Sequence, residues 1–253
     1  MTHLQGKDRA VYVQRMFRRI AHRYDLLNRL MTIGQDVRWR KELIGHLGLN
    51  SGSVVLDLGA GTGDIALEIS RRHPTAMVVA SDFTAEMVLV GRQRPGGARV
   101  SWVIADAMHL PFASECADAV VSGFLLRNVP DVPHSLQEQQ RTLKPGGRVG
   151  SLDTTPPSQN WLRPFLEFHL HTVIPLLGKL VAGDAEAYTY LPDSTEKFLT
   201  AEDLATRFEK AGFQLVGYVR RMLGTIGIHW GTKPSQVKLL TNMGDDDPQR
   251  SEP

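Results

Sequence analysis

Short apolar runs that alternate with helical segments dominate the chain from Ser53 onwards. The runs read VVLDLG, MVVASD, VSWVIAD, ADAVVSGFL and GRVGSLD, and the segments between them carry apolar residues at helical spacing. Strands joined by helical crossovers run parallel in one sheet and have helices on both faces. The pattern therefore predicts a doubly wound α/β fold. After it, a helix from Ala201 to Ala211 and strands over 213–220 and 225–230 predict a hairpin that completes the sheet.

Two stretches lie outside this alternation. Residues 11–47 have apolar positions at helical spacing and predict helices that precede the sheet. Residues 155–199 form a helix-rich insert after the fifth strand, where an insert is placed to act as a lid over a ligand crevice. We expect one domain over residues 1–240 and, because the end is acidic and contains proline, a disordered tail over residues 241–253.

Composition and charge exclude several kinds of protein. Cys116 is the only cysteine, which excludes an internal disulfide framework and a cysteine-rich metal site. The nine histidines are scattered, so we expect no bound metal. The net charge of +2 is too small to predict a polyanionic partner. The sequence has neither an apolar run long enough to span a bilayer nor the pattern of a signal peptide, so we expect a cytoplasmic protein.

Basic residues are concentrated in the first fifth of the chain. A solvated helix face is the favoured interpretation, and contact with anionic lipid or RNA stays open as an alternative. The residues are Arg15, Arg18, Arg19, Arg23, Arg29, Arg38, Arg40 and Lys41.

The segment VVLDLGAGTGDIALEI combines a buried strand, a glycine-rich turn and the start of a helix. Gly59, Gly61 and Gly63 have the spacing G-x-G-x-G, which differs from the G-x-G-x-x-G of dinucleotide-binding folds. Asp57, just before the turn, would repel a pyrophosphate but would attract an ammonium group. The turn therefore favours a ligand with a methionine-like end over a dinucleotide.

Two more acidic residues follow the next strands. Asp82 ends the second strand and Asp106 the third. At the carboxyl edge of the sheet, a carboxylate can accept hydrogen bonds from both hydroxyls of a ribose, or one from an adenine amino group. Each aspartate alone is more typical of a helix cap or turn. Three acids at three successive strand ends, with a glycine turn between the first two, favour a nucleoside site.

These features together resemble the class I S-adenosylmethionine-dependent methyltransferases over residues 50–230, which implies a seven-stranded Rossmann-like sheet with an antiparallel last strand. Four blocks further resemble the ubiquinone/menaquinone biosynthesis C-methyltransferases: MFRRIAHRYDLLNRLMTIGQDVRWR, LDLGAGTGD, LLRNVPD and YTYLPDS. That resemblance implies methyl transfer from S-adenosylmethionine to a ring carbon of a prenylated quinol. It leaves open whether the acceptor is demethylmenaquinol or a demethylated ubiquinol precursor.

The resemblance also implies a set of cofactor contacts. It puts Thr62 in the glycine turn, Asp82 on the ribose, and Asp106 with Ala107 around the adenine. The expected set adds the turn residues, Tyr24 from the first family block, and Gly123, which stands where the family has its serine. It is Tyr24, Asp57, Gly59, Gly61, Thr62, Gly63, Asp82, Asp106, Ala107 and Gly123.

The end of the fourth strand departs from the family pattern and contains catalytic candidates. The family usually has Ser-Phe-Gly-Leu-Arg-Asn, whereas Gly123 here replaces the serine contact and Leu125 narrows the site. A ring carbon beside a phenol oxygen becomes nucleophilic when the phenol ionises, so the enzyme has to stabilise a phenolate. Arg127 is the favoured stabiliser and Asn128 its orienting partner. The alternative for Arg127 is a surface arginine paired with Asp131.

The insert contributes the remaining catalytic candidates. Asp184 and Tyr188 rank first because GDAEAYTYL matches the lid pattern of the family. His169 or His171 would be able to take the phenol proton near neutral pH, although packing roles are common for such residues. An apolar lid suits a prenylated acceptor drawn from a membrane surface, and we expect transient contact with that surface.

Three rival functions remain at this point. Basic N-terminal helices favour an RNA methyltransferase, but LLRNVPD stands where base amino-methylation usually has an Asp/Asn-Pro-Pro-aromatic run, so we expect no nucleic-acid partner. A small-molecule O- or N-methyltransferase would have the same cofactor half. A non-catalytic cofactor-binding module is the third alternative. The sequence makes no prediction of oligomeric state.

Overall fold

A computed structural model of the protein describes residues 6–156, 172 and 194–235, with side chains from residue 11. The strands are β1 Val54–Leu58, β2 Met77–Asp82, β3 Ser101–Ile104, β4 Ala117–Gly123, β5 Leu143–Thr154, β6 Gln214–Arg221 and β7 Ile226–Thr232. The helices are α1 Gly6–Ile20, α2 Tyr24–Met31, α3 Asp36–His46, α4 Asp64–Arg72, α5 Ala85–Gln93, α6 Val132–Thr142 and α7 Ala201–Lys210. Residues 157–171 and 173–193 of the predicted lid, and the predicted tail, lie outside the described residues.

The strands form one seven-stranded sheet in the order β3-β2-β1-β4-β5-β7-β6. Strands β1 to β5 pair in parallel, and β7 is antiparallel to both β5 and β6. This arrangement confirms the predicted parallel sheet and its closing hairpin. The strand order reverses between β1 and β4, and open α/β sheets bind ligands in the crevice beside the carboxyl ends of such strands.

Apolar side chains cover both faces of the sheet. In β1, Val55 packs into a cluster with Leu43 of α3 and Ile69 of α4, whereas Leu56 packs into a second cluster with Phe208 of α7. Neighbouring strand residues point to opposite faces, so the continuous apolar run of β1 is buried on both sides.

The predicted N-terminal helices are present, and they contact the sheet and its other helices. Helix α3 lies directly on β5, where a Cβ on Gly150 would be 2.9 Å from Leu43 Cδ1. Helix α1 packs on α5, and Arg18 Nε lies 2.8 Å from Glu86 Oε1. The expectation of a solvated face is wrong for Arg40, which is buried and contacts Asp36 and Asp64. None of the helices within the described residues is both long and apolar enough to cross a membrane.

Candidate active site

A cavity of about 320 Å³ opens at the carboxyl edge of the sheet, beside β1 and β4. The glycine turn, the ends of β2, β3 and β4, and helices α1 and α2 form its wall. The structure brings eight of the predicted residues together in this wall. They are Tyr24, Gly59, Gly61, Asp82, Asp106, Ala107, Gly123 and Asn128.

Asp82 connects the glycine turn to the start of α5. Its Oδ2 accepts a hydrogen bond of 2.8 Å from the Gly61 amide, and its Oδ1 accepts one of 2.8 Å from the Thr84 amide. Both oxygens are thereby held in place at the cavity wall. Burial raises the pKa of Asp82, and the two backbone amides and the Thr84 side chain act against that rise.

Asp57 lies behind the glycine turn and is 1% exposed. Its Oδ2 accepts a hydrogen bond of 2.9 Å from the Ala66 amide in the first turn of α4. Its Oδ1 is buried and has no hydrogen-bond partner among the described residues. Burial raises the pKa of Asp57 to about 8. An unsatisfied buried carboxyl oxygen fits a ligand that brings an ammonium group, so the residues present suit S-adenosylmethionine.

Asp106 and Ala107 follow β3 and stand at another part of the wall. Asp106 Oδ1 accepts a hydrogen bond of 2.9 Å from the Met108 amide, so it caps the local turn as well as facing the cavity. His109, which sequence reasoning did not select, lines the cavity beside it. Its position in the loop after a strand end was the only signal that would have marked it.

Asp57, Thr62 and Gly63 were predicted with the cofactor contacts but lie outside the lining that the described residues form. Thr62 Oγ1 donates a hydrogen bond of 2.5 Å to Asp25 Oδ1 of α2. Gly63 has φ of +86°, and a Cβ there would be 2.4 Å from Trp102. The glycine is thus required by the backbone conformation and by the close approach of Trp102.

Thr62 belongs to a larger polar network that joins the N-terminal helices to the glycine turn. Arg94 Nη1 lies 3.1 Å from Asp25 Oδ2, and Arg94 Nη2 lies 2.7 Å from Asp64 Oδ1. Arg40 of α3 also contacts Asp64, at 3.2 Å. We call these residues the cap network: Asp25, Thr62, Asp64, Arg94, Arg40, Asp36 and Arg29.

Arg127 occupies a different place from the one expected for a phenolate contact. It is 5% exposed and lies outside the cavity wall that the described residues form. Its Nη1 donates a hydrogen bond of 2.7 Å to Asp153 Oδ1, and its guanidinium lies 5.0 Å from the centre of the Phe124 ring. The alternative of a surface arginine is wrong because the side chain is buried. Asp131 instead caps α6 by accepting a hydrogen bond from the His134 amide.

Tyr24 and Asn128 line the part of the cavity next to Arg127. Burial raises the pKa of the Tyr24 hydroxyl, while the Asn28 side chain and the positive charges of Arg127 and Arg40 act to lower it. Asn128 Nδ2 donates a hydrogen bond of 2.8 Å to the Phe124 carbonyl oxygen. Arg127 therefore acts electrostatically on a cavity residue from behind the wall.

Leu125 lies against the glycine turn. A Cβ on Gly59 would be 2.7 Å from Leu125 Cδ1, and Leu125 lines the cavity. Much of the remaining wall is apolar and was not predicted as part of the site: Val13, Phe17, Phe83, Met87, Phe124 and Val129. The helical spacing of Val13 and Phe17 is a signal of burial, but it does not distinguish a cavity wall from a core. Asp184 and Tyr188 lie outside the described residues.

The sheet order and the acids at its carboxyl edge define a class I S-adenosylmethionine-dependent methyltransferase, as the resemblance implied. A solved structure of phosphoethanolamine N-methyltransferase 2 from Haemonchus contortus, in complex with S-adenosylhomocysteine, has the same fold. It is 16% identical with a TM-score of 0.61, and the match covers 78% of this chain and 53% of that one.

The family is given by sequence comparison. The ubiE/COQ5 methyltransferase family matches residues 3–233, and the chain belongs to that family. It is 49% identical over 87% of its length to the ubiquinone/menaquinone biosynthesis C-methyltransferase UbiE of Desulfotalea psychrophila, and the match covers 90% of that protein. It is 38% identical over 89% of its length to the demethylmenaquinone methyltransferase of Roseiflexus castenholzii, with 94% of that protein covered. The predicted family is thus confirmed.

Proposed function

We propose that this protein transfers the methyl group of S-adenosylmethionine to a ring carbon of a prenylated quinol in respiratory quinone biosynthesis. The observation that carries the proposal is the 49% identity to a relative named as a ubiquinone/menaquinone C-methyltransferase, over 87% of the chain. Apolar side chains in the cavity wall, such as Phe17, Phe83 and Met87, suit an aromatic acceptor. The same relatives make RNA, or O- and N-methylation of another small molecule, the less favoured alternatives.

On the cofactor side, Asp82 binds the ribose hydroxyls and Asp106 with Ala107 binds the adenine. The unsatisfied oxygen of Asp57 attracts the ammonium group through the glycine turn. S-adenosylmethionine, when bound, supplies an electrophilic methyl group on a sulfonium. Apolar walls beside the turn keep water away from it.

On the acceptor side, ionisation of the phenol makes the neighbouring ring carbon nucleophilic. A carbon–carbon bond to the methyl group forms as the carbon–sulfur bond breaks, and the ring then loses a proton to restore aromaticity. Asn128 faces the acceptor and is oriented by its bond to the Phe124 carbonyl. Tyr24, expected among the cofactor contacts, lines the same cavity. Arg127 is a positioning residue. Its guanidinium packs on the Phe124 ring, and its positive charge acts to lower the pKa of the Tyr24 hydroxyl. Asp184 and Tyr188 are retained as candidates for the proton transfers.

The proposal includes a cellular location. A long prenyl tail keeps the acceptor in the bilayer, so the protein works in the cytoplasm at the inner face of the membrane and binds it peripherally. Neither nucleic acid nor a metal ion has a role in the reaction described above.

Transfer of label from S-adenosylmethionine to demethylmenaquinol and to a demethylated ubiquinol precursor, both kept reduced, tests the function. We expect labelled quinol from the unchanged protein and roughly a hundredfold lower turnover from Arg127→Gln. Arg71→Gln, an exposed arginine of α4, is the matched control and should leave turnover unchanged. Binding of S-adenosylmethionine without label in either quinol would contradict the proposal and favour another acceptor.

A further inference from the structure

Helix α2 exposes an apolar strip on the side that faces away from the core. Leu26 and Leu30 are 54% and 41% exposed, and Ile33, just beyond the helix end, is 79% exposed. On the other side of the helix, Leu27 and Met31 are buried. Leu26 and Leu30, four residues apart, lie on one side of the helix, and Ile33 follows in the turn after its end. We call these three exposed side chains the α2 ridge. Clustered exposed apolar residues mark an interaction surface.

Ile33 adopts a backbone conformation that its own side chain disfavours. Its φ is +53°, in the left-handed region where β-branched residues are strained. The turn between α2 and α3 thus presents a large apolar side chain to solvent in a strained conformation. An isoleucine at this position stabilises neither the turn nor a contact with water. We therefore infer that its side chain contacts something outside the chain.

Positive charge flanks the α2 ridge along the chain. The described residues 11–41 contain eight Arg and Lys residues and two Asp residues, a net charge of +6 compared with +2 for the whole chain. Within that range Asp25 is half-buried in the cap network and Asp36 is buried, so the exposed charges are all positive. These exposed residues are Arg15, Arg19, Arg23 and Arg38, together with Arg18, which also pairs with Glu86 of α5.

We propose that the α2 ridge and its flanking arginines dock the protein on the surface of an anionic bilayer. An apolar strip bordered by cationic side chains is the pattern that binds the interface of such a bilayer, since the strip enters the acyl boundary while the charges meet lipid phosphates. Helix α2 also supplies Tyr24 to the cavity wall, so about one helix diameter, roughly 10–12 Å, separates the lipid from the site. The proposal rests on the proposed function, which supplies an acceptor that resides in the bilayer.

Sedimentation with vesicles tests the docking surface. We expect the protein to bind vesicles of phosphatidylglycerol and phosphatidylcholine, with affinity that falls as salt is added, and to bind pure phosphatidylcholine weakly. Leu26→Gln with Leu30→Gln should weaken binding about tenfold. Met77→Gln with Leu215→Gln removes side chains that are 65% and 83% exposed elsewhere, and this matched control should bind as the unchanged protein does.

Ile33→Asn separates docking from folding. Asparagine tolerates the left-handed region, so this variant should have a higher Tm than the unchanged protein while it binds anionic vesicles several-fold more weakly. Equal vesicle binding by the ridge variants and the control pair would overturn the proposal. So would a dimer in sedimentation velocity that the ridge variants convert to monomer without a change in vesicle binding, because the ridge would then serve self-association.

Methyl transfer to a short-tailed, water-soluble quinol without vesicles distinguishes the two proposals. We expect ridge variants to retain this activity and to lose about tenfold in turnover on a long-tailed quinol carried in vesicles. Full activity on the long-tailed quinol would overturn docking and leave the proposed function intact. Ridge-dependent vesicle binding without transfer to either quinol would overturn the proposed function and support docking.

Discussion

The two sides of the cavity are held by different kinds of interaction. On the cofactor side, Asp82 accepts hydrogen bonds from the amides of Gly61 and Thr84, so carboxylates and backbone define the geometry. On the cap side, formed by α1 to α3, side chains from distant parts of the chain meet each other. Asp25 lies within reach of Thr62 and of Arg94, which follows α5.

This difference indicates different roles for the two sides. Backbone amides in a tight turn have few alternative positions, so the cofactor side is organised before the ligand arrives. The partly exposed arginines of the cap network, Arg29 and Arg94, make ion pairs that weaken as salt is added. We therefore expect changes on the cofactor side to act on the affinity for S-adenosylmethionine, and changes in the cap network to act mainly on the free energy of unfolding, with a smaller effect on that affinity.

The largest expected effect is at Asp82. Asp82→Asn replaces one fixed acceptor oxygen by a donor that faces the ribose, so affinity for S-adenosylmethionine should fall about a hundredfold, or about 3 kcal/mol. Isothermal titration calorimetry measures it. Asp118→Asn changes an aspartate that also accepts from a backbone amide, that of Val54, but lies at the opposite edge of the sheet. If Asp82→Asn and Asp118→Asn lose the same affinity for S-adenosylmethionine, Asp82 does not define the cofactor side of the cavity.

The second-largest expected effect is a loss of stability on a change in the cap network. Arg94→Gln removes the charge that faces Asp25 and Asp64, whose carboxylates then repel each other. We expect the free energy of unfolding to fall by about 2 kcal/mol, measured in urea, because a partly buried ion pair loses one partner. The KM for S-adenosylmethionine should rise severalfold with kcat little changed. A loss confined to kcat would show that Arg94 serves the chemistry instead of the cap.

Asp57 predicts a dependence of the free energy of unfolding on pH. Its pKa of about 8 in the folded protein lies above the usual value in the unfolded chain, so between those values the folded state holds the extra proton. This contribution to stability is present at low pH and is lost as pH rises through 8. From pH 6 to pH 7 the unchanged protein should lose about 1 kcal/mol relative to Asp57→Asn, measured by urea unfolding without ligand. A pH-independent difference between the two proteins would show that Asp57 is ionised already.

The smallest expected effect concerns Leu125, which packs against the glycine turn and lines the cavity. Leu125→Ala opens space beside Gly59, so kcat/KM for a naphthoquinol should rise about threefold relative to a benzoquinol. The affinity for S-adenosylmethionine should change less than twofold. A shift in cofactor affinity alone would mean that Leu125 shapes the turn and not the acceptor pocket.

Local pattern was sufficient for the sheet and for much of the cofactor side. A buried strand followed by a glycine turn and a helix is encoded within fifteen or so neighbouring residues, and the carboxyl ends of parallel strands share one edge. Asp82, Asp106, Gly59 and Gly61 were accordingly placed in the cavity wall from the sequence. The resemblance supplied the family, which the comparisons confirm.

Only the tertiary structure decided which polar side chains from distant parts of the chain contact each other. Thr62 faces Asp25, 37 residues earlier, and Arg127 is buried against Asp153, 26 residues later. Arg40, which was predicted to lie on a solvated helix face, is buried beside Asp36 of α3 and Asp64 of α4. The physical reason is that periodicity reports which face of an element is apolar, whereas the partner of a buried charge depends on how separate elements pack.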